Sequence, residues 1–314
     1  GNDAAMPILG YSFENEFKED DLPIQLDWLF NQYQDEINDL YLNNTLPTID
    51  IEQEWLDYSE NFDYEPTRSV QPLLACNWDQ GSPWNDMCPE DSNGPGGNVL
   101  VGCVAVSMAQ VMYYWGYPEV GSGDHGYNHW TYGYQYADFS EAFYDYENMA
   151  DNYGTDASAL LLYHAGVSVN MGYGVDGSGA SVFGGNPSTY YAMRNYFLFK
   201  NSMDQIFPED YSTTVFRALL QEDLDSNRPI IYVGYSNEGG HAWNIDGYDD
   251  DYFHCNWGWG GSSNGYFYFN NLNGSGFSFI ESQAALINIF PQGIATPIAL
   301  FDYEMDNFTI SFND

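Results

Sequence analysis

The stretch VGCVAVSMAQVMYYWGYP, residues 101–118, decides the fold. Cys103 follows a glycine and begins an apolar stripe with helical spacing, which continues through Val104, Met108, Val111, Met112 and Trp115. A free cysteine is most often a small buried hydrophobe. At a helix N-terminus, however, unpaired backbone N–H groups and the helix dipole stabilise the thiolate. The position of Cys103 therefore predicts either a core thiol or an activated nucleophile.

Composition narrows the range of partners. The chain has 314 residues, enough for one or two domains, and 18% of them are aromatic, which indicates a folded protein. Its 46 acidic and 6 basic residues give a formal net charge of -40. A polyanion repels nucleic acid and anionic membranes, and no run of about 18 apolar residues occurs. We expect neither a nucleic-acid partner nor membrane insertion, and the charge fits an extracellular or saline setting.

The four cysteines are too sparse for a disulfide scaffold. Cys76 and Cys88 are close in sequence, so they either form a bridge or remain free thiols. Cys255 lies in a strand-like segment and is interpreted as a buried structural thiol. No C-x-x-C pair occurs, and we expect no metal site.

Hydrophobic periodicity predicts helices in the first part of the chain and strands in the second. Residues 48–70 have the polar, acidic composition of a linker. Helices followed by antiparallel strands indicate an α+β fold with a helical half and a sheet half. The predicted helices are residues 22–44, 104–115, 158–169, 187–199 and 213–225, and the predicted strands are residues 229–235, 241–249, 252–259, 265–272 and 284–290.

Nucleophilic catalysis by cysteine requires a nearby histidine and a group that orients it. His241 lies 138 residues after Cys103 and directly follows Gly239 and Gly240, which would let a peptide backbone approach closely. Asn256 and Trp257, in the segment HCNWGWGG, are candidates for orienting the imidazole.

The oxyanion of a tetrahedral intermediate also requires hydrogen-bond donors. Gln80, in the segment CNWDQGSPWN, offers an uncharged amide that could act together with the backbone N–H of Cys103.

Together, the segments CNWDQGSPWN, VGCVAVSMAQVMYYWGYP, GGHAWNIDGYD and HCNWGWGG resemble, in order, the motifs of the streptopain family of papain-like cysteine peptidases. The resemblance covers residues 71–291 and implies a two-lobed papain-like catalytic domain. It implies Cys103 as nucleophile, His241 as general base, Gln80 with the Cys103 N–H as oxyanion hole, and Trp257 with Asn256 as histidine-orienting residues. It further implies a secreted endopeptidase that cleaves proteins or peptides without a cofactor.

The resemblance extends to the N-terminal flank. Residues 1–70 are similar to the C-terminal part of the family's inhibitory propeptide followed by an acidic linker, so we expect a zymogen whose own propeptide docks without fully blocking the cleft. Residues 292–314 are expected to be a truncated C-terminal extension. Ser181 begins the loop SVFGGNP, near the expected wall of the substrate cleft, and Gly239 and Gly240 are expected to line the same cleft.

Two other classes of function remain open at this stage. The first is a catalytically silent peptide-binding module on the same fold. The second is another Cys–His enzyme, such as a transglutaminase or an amidase, which uses the same thiolate–imidazolium chemistry.

Overall fold

The computed structural model describes residues 2–14, 24–60, 68–236, 239–268, 283–293, 302–306 and 309–313. The α-helices are α1 (Ile24–Leu42), α2 (Ile49–Glu60), α3 (Cys103–Trp115), α4 (Asp156–Ser168), α5 (Thr189–Asn195) and α6 (Thr213–Asp225). The strands are β1 (Gly10–Tyr11), β2 (Ser69–Val70), β3 (Asp124–His129), β4 (Gly133–Asp138), β5 (Asp204–Ile206), β6 (Ile230–Ser236), β7 (Gly239–Asp249), β8 (Tyr252–Asn256), β9 (Gly265–Tyr268), β10 (Ala284–Ile287), β11 (Asp302–Asp306) and β12 (Thr309–Asn313).

One antiparallel sheet organises the molecule. Its strands lie in the order β1-β9-β8-β7-β6-β10-β5, and β2 also pairs with β7. Side chains on a strand point alternately to the two faces. Accordingly, Val233 and Ala242 pack into one hydrophobic core with α3 and α4, whereas Tyr232 and Trp243 pack into a second core with α1 and α6. This arrangement confirms the α+β prediction.

Helix α3 is fixed by glycines at both ends. Gly102 has a φ of 94°, and a Cβ there would lie 2.7 Å from the sulfur of Met171, so only glycine fits the turn that begins the helix at Cys103. Gly116 ends the helix in the left-handed conformation and donates its N–H to the carbonyls of Met112 and Tyr113. Residues 103–112 are all buried, so α3 is a central helix that packs against β7.

The N-terminal residues are integrated with the sheet. Strand β1 extends it by pairing with β9, and the Tyr33 hydroxyl donates to the carbonyls of Leu9 and Tyr268. Helix α2 occupies residues that composition predicts as a linker, so that prediction is wrong for residues 49–60. Ile51 is buried and the Trp55 indole donates to the carbonyl of Ala5, a long-range contact that stabilises the helix despite its acidic sequence.

A buried charge joins the N-terminal residues to β8. The Nδ1 of His254 lies 2.6 Å from an oxygen of Asp246, and its Nε2 lies 2.7 Å from an oxygen of Glu14. Carboxylates only accept hydrogen bonds, so both ring nitrogens carry protons. Burial disfavours the imidazolium, but the two carboxylates outweigh that effect and raise the pKa of His254 to about 9.

This ion pair predicts a stability change in mildly alkaline solution. The contribution of His254 is fully present below its unfolded pKa of about 6.5 and is lost as the pH rises through about 9. We expect the free energy of unfolding to fall by on the order of 3 kcal/mol across this interval. Urea unfolding at a series of pH values from 6 to 9.5 measures this fall in the free energy of unfolding. His254→Gln should remove most of the slope, and an equal slope in this variant would contradict the assignment.

Most other predicted elements correspond to observed ones, and α6 matches residues 213–225. The β3–β4 hairpin was not predicted, and residues 269–272 of one predicted strand lie outside the described residues. His125 and His129 have the H-x-x-x-H spacing typical of metal ligands, yet His125 bonds to Asn170 and His129 accepts backbone N–H groups. Within the described residues, no cluster of three metal-binding side chains and no helix suited to crossing a membrane occurs.

Candidate active site

A cavity of about 140 Å³ lies where α3 meets the sheet. It brings together the two residues that the sequence singled out as nucleophile and base, Cys103 and His241. Apart from these two, its walls are made of glycine, alanine and valine residues. The described lining residues are Cys103, Val104, Gly179, Ala180, Val182, Val233, Gly240, His241 and Ala242.

Cys103 occupies the first position of α3, where N–H groups have no partner within the helix. Burial raises the pKa of its thiol, while the backbone N–H groups of Ala242, Val104 and Cys103 itself act in the opposite direction. Because Ala242 is the next residue after His241, the strand that carries the histidine also helps to stabilise the thiolate. The other three cysteines are free and buried, and burial raises the pKa of each.

The hydrogen bonding of His241 defines which nitrogen can act as a base. Its Nε2 lies 3.1 Å from the backbone carbonyl oxygen of Trp257. A carbonyl only accepts, so Nε2 carries the proton and Nδ1 of the neutral ring keeps a free lone pair. Burial lowers the pKa of His241 to about 4, so the ring is neutral at pH 7 and able to take up a proton.

Three tryptophans surround the imidazole of His241. The ring centres of Trp259, Trp243 and Trp257 lie 5.7, 6.0 and 6.3 Å from that of His241, all within 26° of parallel. Sequence reasoning identified Trp257 but missed Trp243 and Trp259. The i, i+2 spacing of His241 and Trp243 on a strand was the available signal for the first of them.

Among the hydrogen bonds of the described residues, the Asn256 side chain bonds to groups other than His241. This side chain donates to the carbonyl of Cys76 and accepts from Gln110 and from the backbone N–H of Gly258. The direct partner of His241 is therefore a backbone carbonyl, which side-chain identity does not reveal.

Gln80 is buried in the loop that precedes α3. Its backbone carbonyl accepts from the N–H of Val101, which places this loop beside the turn leading to Cys103. Among the described residues, none forms a hydrogen bond with its side-chain amide. Its amide donors are thus not used by the described part of the chain, and Gln80 is not among the described residues that line the cavity.

The remaining cleft candidates differ in placement. Gly240 lines the cavity, and Gly239 precedes it on β7. In the loop on the opposite wall, Ala180 and Val182 line the cavity while Ser181 between them is exposed. The observed wall is accordingly apolar.

Comparison with known sequences identifies similar proteins. The sequence profile of the Peptidase C10 family matches residues 78–267. Thiol protease/hemagglutinin PrtT of Porphyromonas gingivalis is 30% identical over 92% of this chain, which spans 35% of that protein. Streptopain of Streptococcus pyogenes is 30% identical over 71% of this chain and is covered over 63% of its length.

Comparison with solved structures also finds cysteine proteases. A fragment of Prevotella intermedia prointerpain A carrying a cysteine-to-alanine mutation superposes with a TM-score of 0.72 at 28% identity, covering 91% of this chain and 89% of that fragment. Active interpain A from the same organism gives a TM-score of 0.60 at 30% identity, covering 70% of this chain and 95% of that one. The fold described above is thus similar to that of a cysteine protease and its pro-form.

Proposed function

This chain belongs to the Peptidase C10 family, and from that premise we propose that it is a cysteine endopeptidase that cleaves protein or peptide substrates. The observation that carries the proposal is the cavity in which Cys103, at the start of α3, lies together with a neutral His241 whose Nδ1 is free. This combination supplies a nucleophile and a base at one site.

The reaction begins with proton transfer from the Cys103 thiol to Nδ1 of His241. The thiolate attacks the substrate carbonyl carbon, a C–S bond forms, and the carbonyl oxygen becomes an oxyanion. The Gln80 amide and the Cys103 backbone N–H donate to that oxygen. When the tetrahedral species collapses, the C–N bond breaks and Nδ1 returns its proton to the leaving amine.

Hydrolysis of the resulting thioester completes the cycle. Nδ1 of His241 takes a proton from water, the hydroxide attacks the acyl carbon, and the C–S bond breaks to release the carboxylic acid product. The carbonyl of Trp257 accepts from Nε2 throughout and so keeps the ring in the required tautomer. The indoles around His241 shield it from water.

Burial favours the uncharged form of both members of the dyad, Cys103 and His241. It favours the neutral thiol and the neutral imidazole, so the ion pair forms only with the help of their mutual attraction and of the backbone N–H groups around Cys103. Closely coupled groups of this kind titrate as a pair. The pH profile of peptidase activity should therefore show apparent pKa values that belong to the pair and not to either residue alone.

We further propose that the protein is made as a zymogen, with residues 1–70 as propeptide and linker and residues 71–291 as the catalytic domain. The described part of the N-terminal segment packs on the sheet through β1 and α1, and none of its described residues lines the cavity. This placement is what a docked segment that leaves the cleft open would have. The acidic surface and the family membership also support an extracellular site of action.

The proposal is tested by incubating the protein with an unfolded protein substrate in reducing buffer. New amino termini should appear in the substrate, and their appearance should stop after treatment with a thiol-directed epoxide. Acyl transfer to an added amine without new termini would instead indicate a transglutaminase, and silence in both assays would indicate a binding module. In the same incubation, the intact mass of the chain should fall by about its first 70 residues.

The oxyanion assignment predicts a selective loss. Gln80→Ala should lower kcat by about 10²- to 10³-fold, because one donor to the developing oxyanion disappears. Alkylation of Cys103 by iodoacetamide should proceed at the wild-type rate, since that reaction forms no oxyanion. Gln135→Ala, which also replaces a buried glutamine of the proposed catalytic domain, is the matched control. Wild-type kcat in Gln80→Ala would remove Gln80 from the oxyanion site.

A further inference from the structure

Three buried amide side chains form a continuous hydrogen-bonded chain behind the cavity. Gln110, Asn244 and Asn256 are each at most 1% exposed. The Asn244 Nδ2 donates to the Gln110 Oε1 at 2.9 Å, and the Gln110 Nε2 donates to the Asn256 Oδ1 at 3.0 Å. The Asn256 Nδ2 donates in turn to the carbonyl of Cys76 at 2.9 Å. We refer to these three residues as the amide clamp.

Two members of the amide clamp lie on the elements that carry the proposed dyad. Gln110 lies seven residues after Cys103 on α3, which is close to two helical turns and thus the same face. Asn244 lies three residues after His241 on β7, and it also donates to the carbonyl of Ser107 on α3. The amide clamp therefore joins the helix of the nucleophile to the strand of the base.

The third member reaches His241 through a single peptide group. The Asn256 Oδ1 accepts from the N–H of Gly258 at 3.3 Å. That N–H belongs to the same planar peptide unit as the Trp257 carbonyl, which accepts from the Nε2 of His241. Fixing one end of a rigid plane fixes the other, so Asn256 sets the direction in which this carbonyl points.

Contacts on either side of this peptide unit hold the adjacent backbone in place. The N–H of Trp257 donates to the Oδ1 of Asn264 at 3.1 Å. Gly258 has a φ of 71°, and a Cβ there would lie 2.9 Å from a methyl group of Val106 on α3. The carbonyl that holds His241 is therefore packed directly against the helix that carries Cys103.

Resting on the proposed function, we propose that Gln110 and Asn244 are positioning residues of the dyad, acting with Asn256 to fix Cys103, His241 and the Trp257 carbonyl relative to one another. Apolar side chains could fill this space, but they have no directional bonds with which to fix an angle. Buried amides cost free energy unless they are satisfied, and a connected network specifies one arrangement. Gln110 is central because it bonds to both other members.

The test substitutes the central amide with a side chain of similar size and no amide. Gln110→Met should lower kcat by about 10²-fold, with KM within about threefold of wild type, because the dyad is misplaced while the substrate walls remain. The pH at which Cys103 alkylation reaches half its maximal rate should rise toward that of an ordinary thiol. A merely structural residue would not move that profile in the folded fraction.

Gln135→Met is the matched control. Gln135 is also a buried glutamine with two side-chain hydrogen bonds, to the carbonyl of Tyr132 and from the hydroxyl of Tyr163. The Gln135→Met variant should lose as much thermal stability as Gln110→Met, while its kcat and its alkylation profile should stay at the wild-type values. Equal losses of kcat in Gln110→Met and Gln135→Met would overturn the proposal.

A second variant separates positioning from folding. In Gln110→Met with Asn244→Leu, both ends of one hydrogen bond become apolar, so the unfolding midpoint should recover relative to Gln110→Met while kcat stays low. If kcat recovers together with the unfolding midpoint, Gln110 and Asn244 do not act by positioning the dyad. If the wild type shows no turnover, the proposed function fails. The alkylation profiles of the wild type and these variants still decide whether the amide clamp positions Cys103 and His241.

Discussion

Replacing Cys103 with alanine is expected to abolish peptide hydrolysis, with a loss in kcat of about 10⁴-fold or more. The side chain supplies the atom that attacks the substrate, and among the described residues that line the cavity only Cys103 carries a sulfur. A fluorogenic peptide with a hydrophobic residue at P2, the second position before the scissile bond, measures the effect under reducing conditions. Folding should be preserved, because alanine retains the Cβ and the start of α3 is set by Gly102.

Cys255→Ala is the control for this experiment. Cys255 is fully buried on β8, and burial keeps the pKa of its thiol well above the usual range. Its substitution should lower the unfolding midpoint slightly and leave kcat at the wild-type value. If Cys255→Ala is as inactive as Cys103→Ala, or if Cys103→Ala retains activity, the assignment of the nucleophile is wrong.

The second large effect is expected for His241→Ala, with a loss in kcat of about 10²- to 10⁴-fold. Without Nδ1, no group accepts the thiol proton or returns it to the leaving amine. The pH dependence of Cys103 alkylation should change as well. Hydroxide alone then deprotonates the thiol, so the alkylation rate should increase only as the pH approaches the pKa of an isolated buried thiol. Stopped-flow alkylation from pH 4 to pH 10 measures this change.

His164→Ala is the matched control for His241→Ala. His164 is likewise buried, burial lowers its pKa to about 4, and its Nδ1 bonds to the Tyr144 hydroxyl. Both substitutions remove a neutral buried imidazole, so both should lower stability to a similar extent. An identical alkylation profile in His241→Ala and wild type would show that His241 does not act on Cys103.

Local sequence patterns were sufficient for the central elements. The stripe from Val104 to Trp115 predicts α3 to within one residue of its start, because glycines at positions 102 and 116 fix both ends. The segment that became α2 was predicted as a linker, since its acidic composition conceals the contacts of Ile51 and Trp55 with other parts of the chain. Such long-range contacts do not appear in a local window.

In the candidate site, too, local sequence patterns identify residues but do not reveal contacts between distant parts of the chain. The sequence pointed to Cys103 and His241, and the comparisons confirm the resemblance to streptopain on which those roles were based. The bond from His241 to the Trp257 carbonyl involves backbone, which any residue could supply. The amide clamp depends on β7 meeting α3 and on the turn after Asn256, and neither is visible in the spacing of the motifs.

The most direct test of the central claim is the mass of the adduct formed with a thiol-directed epoxide, mapped by peptide sequencing and compared with residual activity. We predict one adduct per chain, located on Cys103, with peptidase activity falling in proportion to labelling and with labelling strongly slowed in His241→Ala. Cys76, Cys88 and Cys255 should remain unmodified, because burial keeps their thiols protonated. Peptidase activity that persists in chains fully labelled at Cys103 would contradict the account.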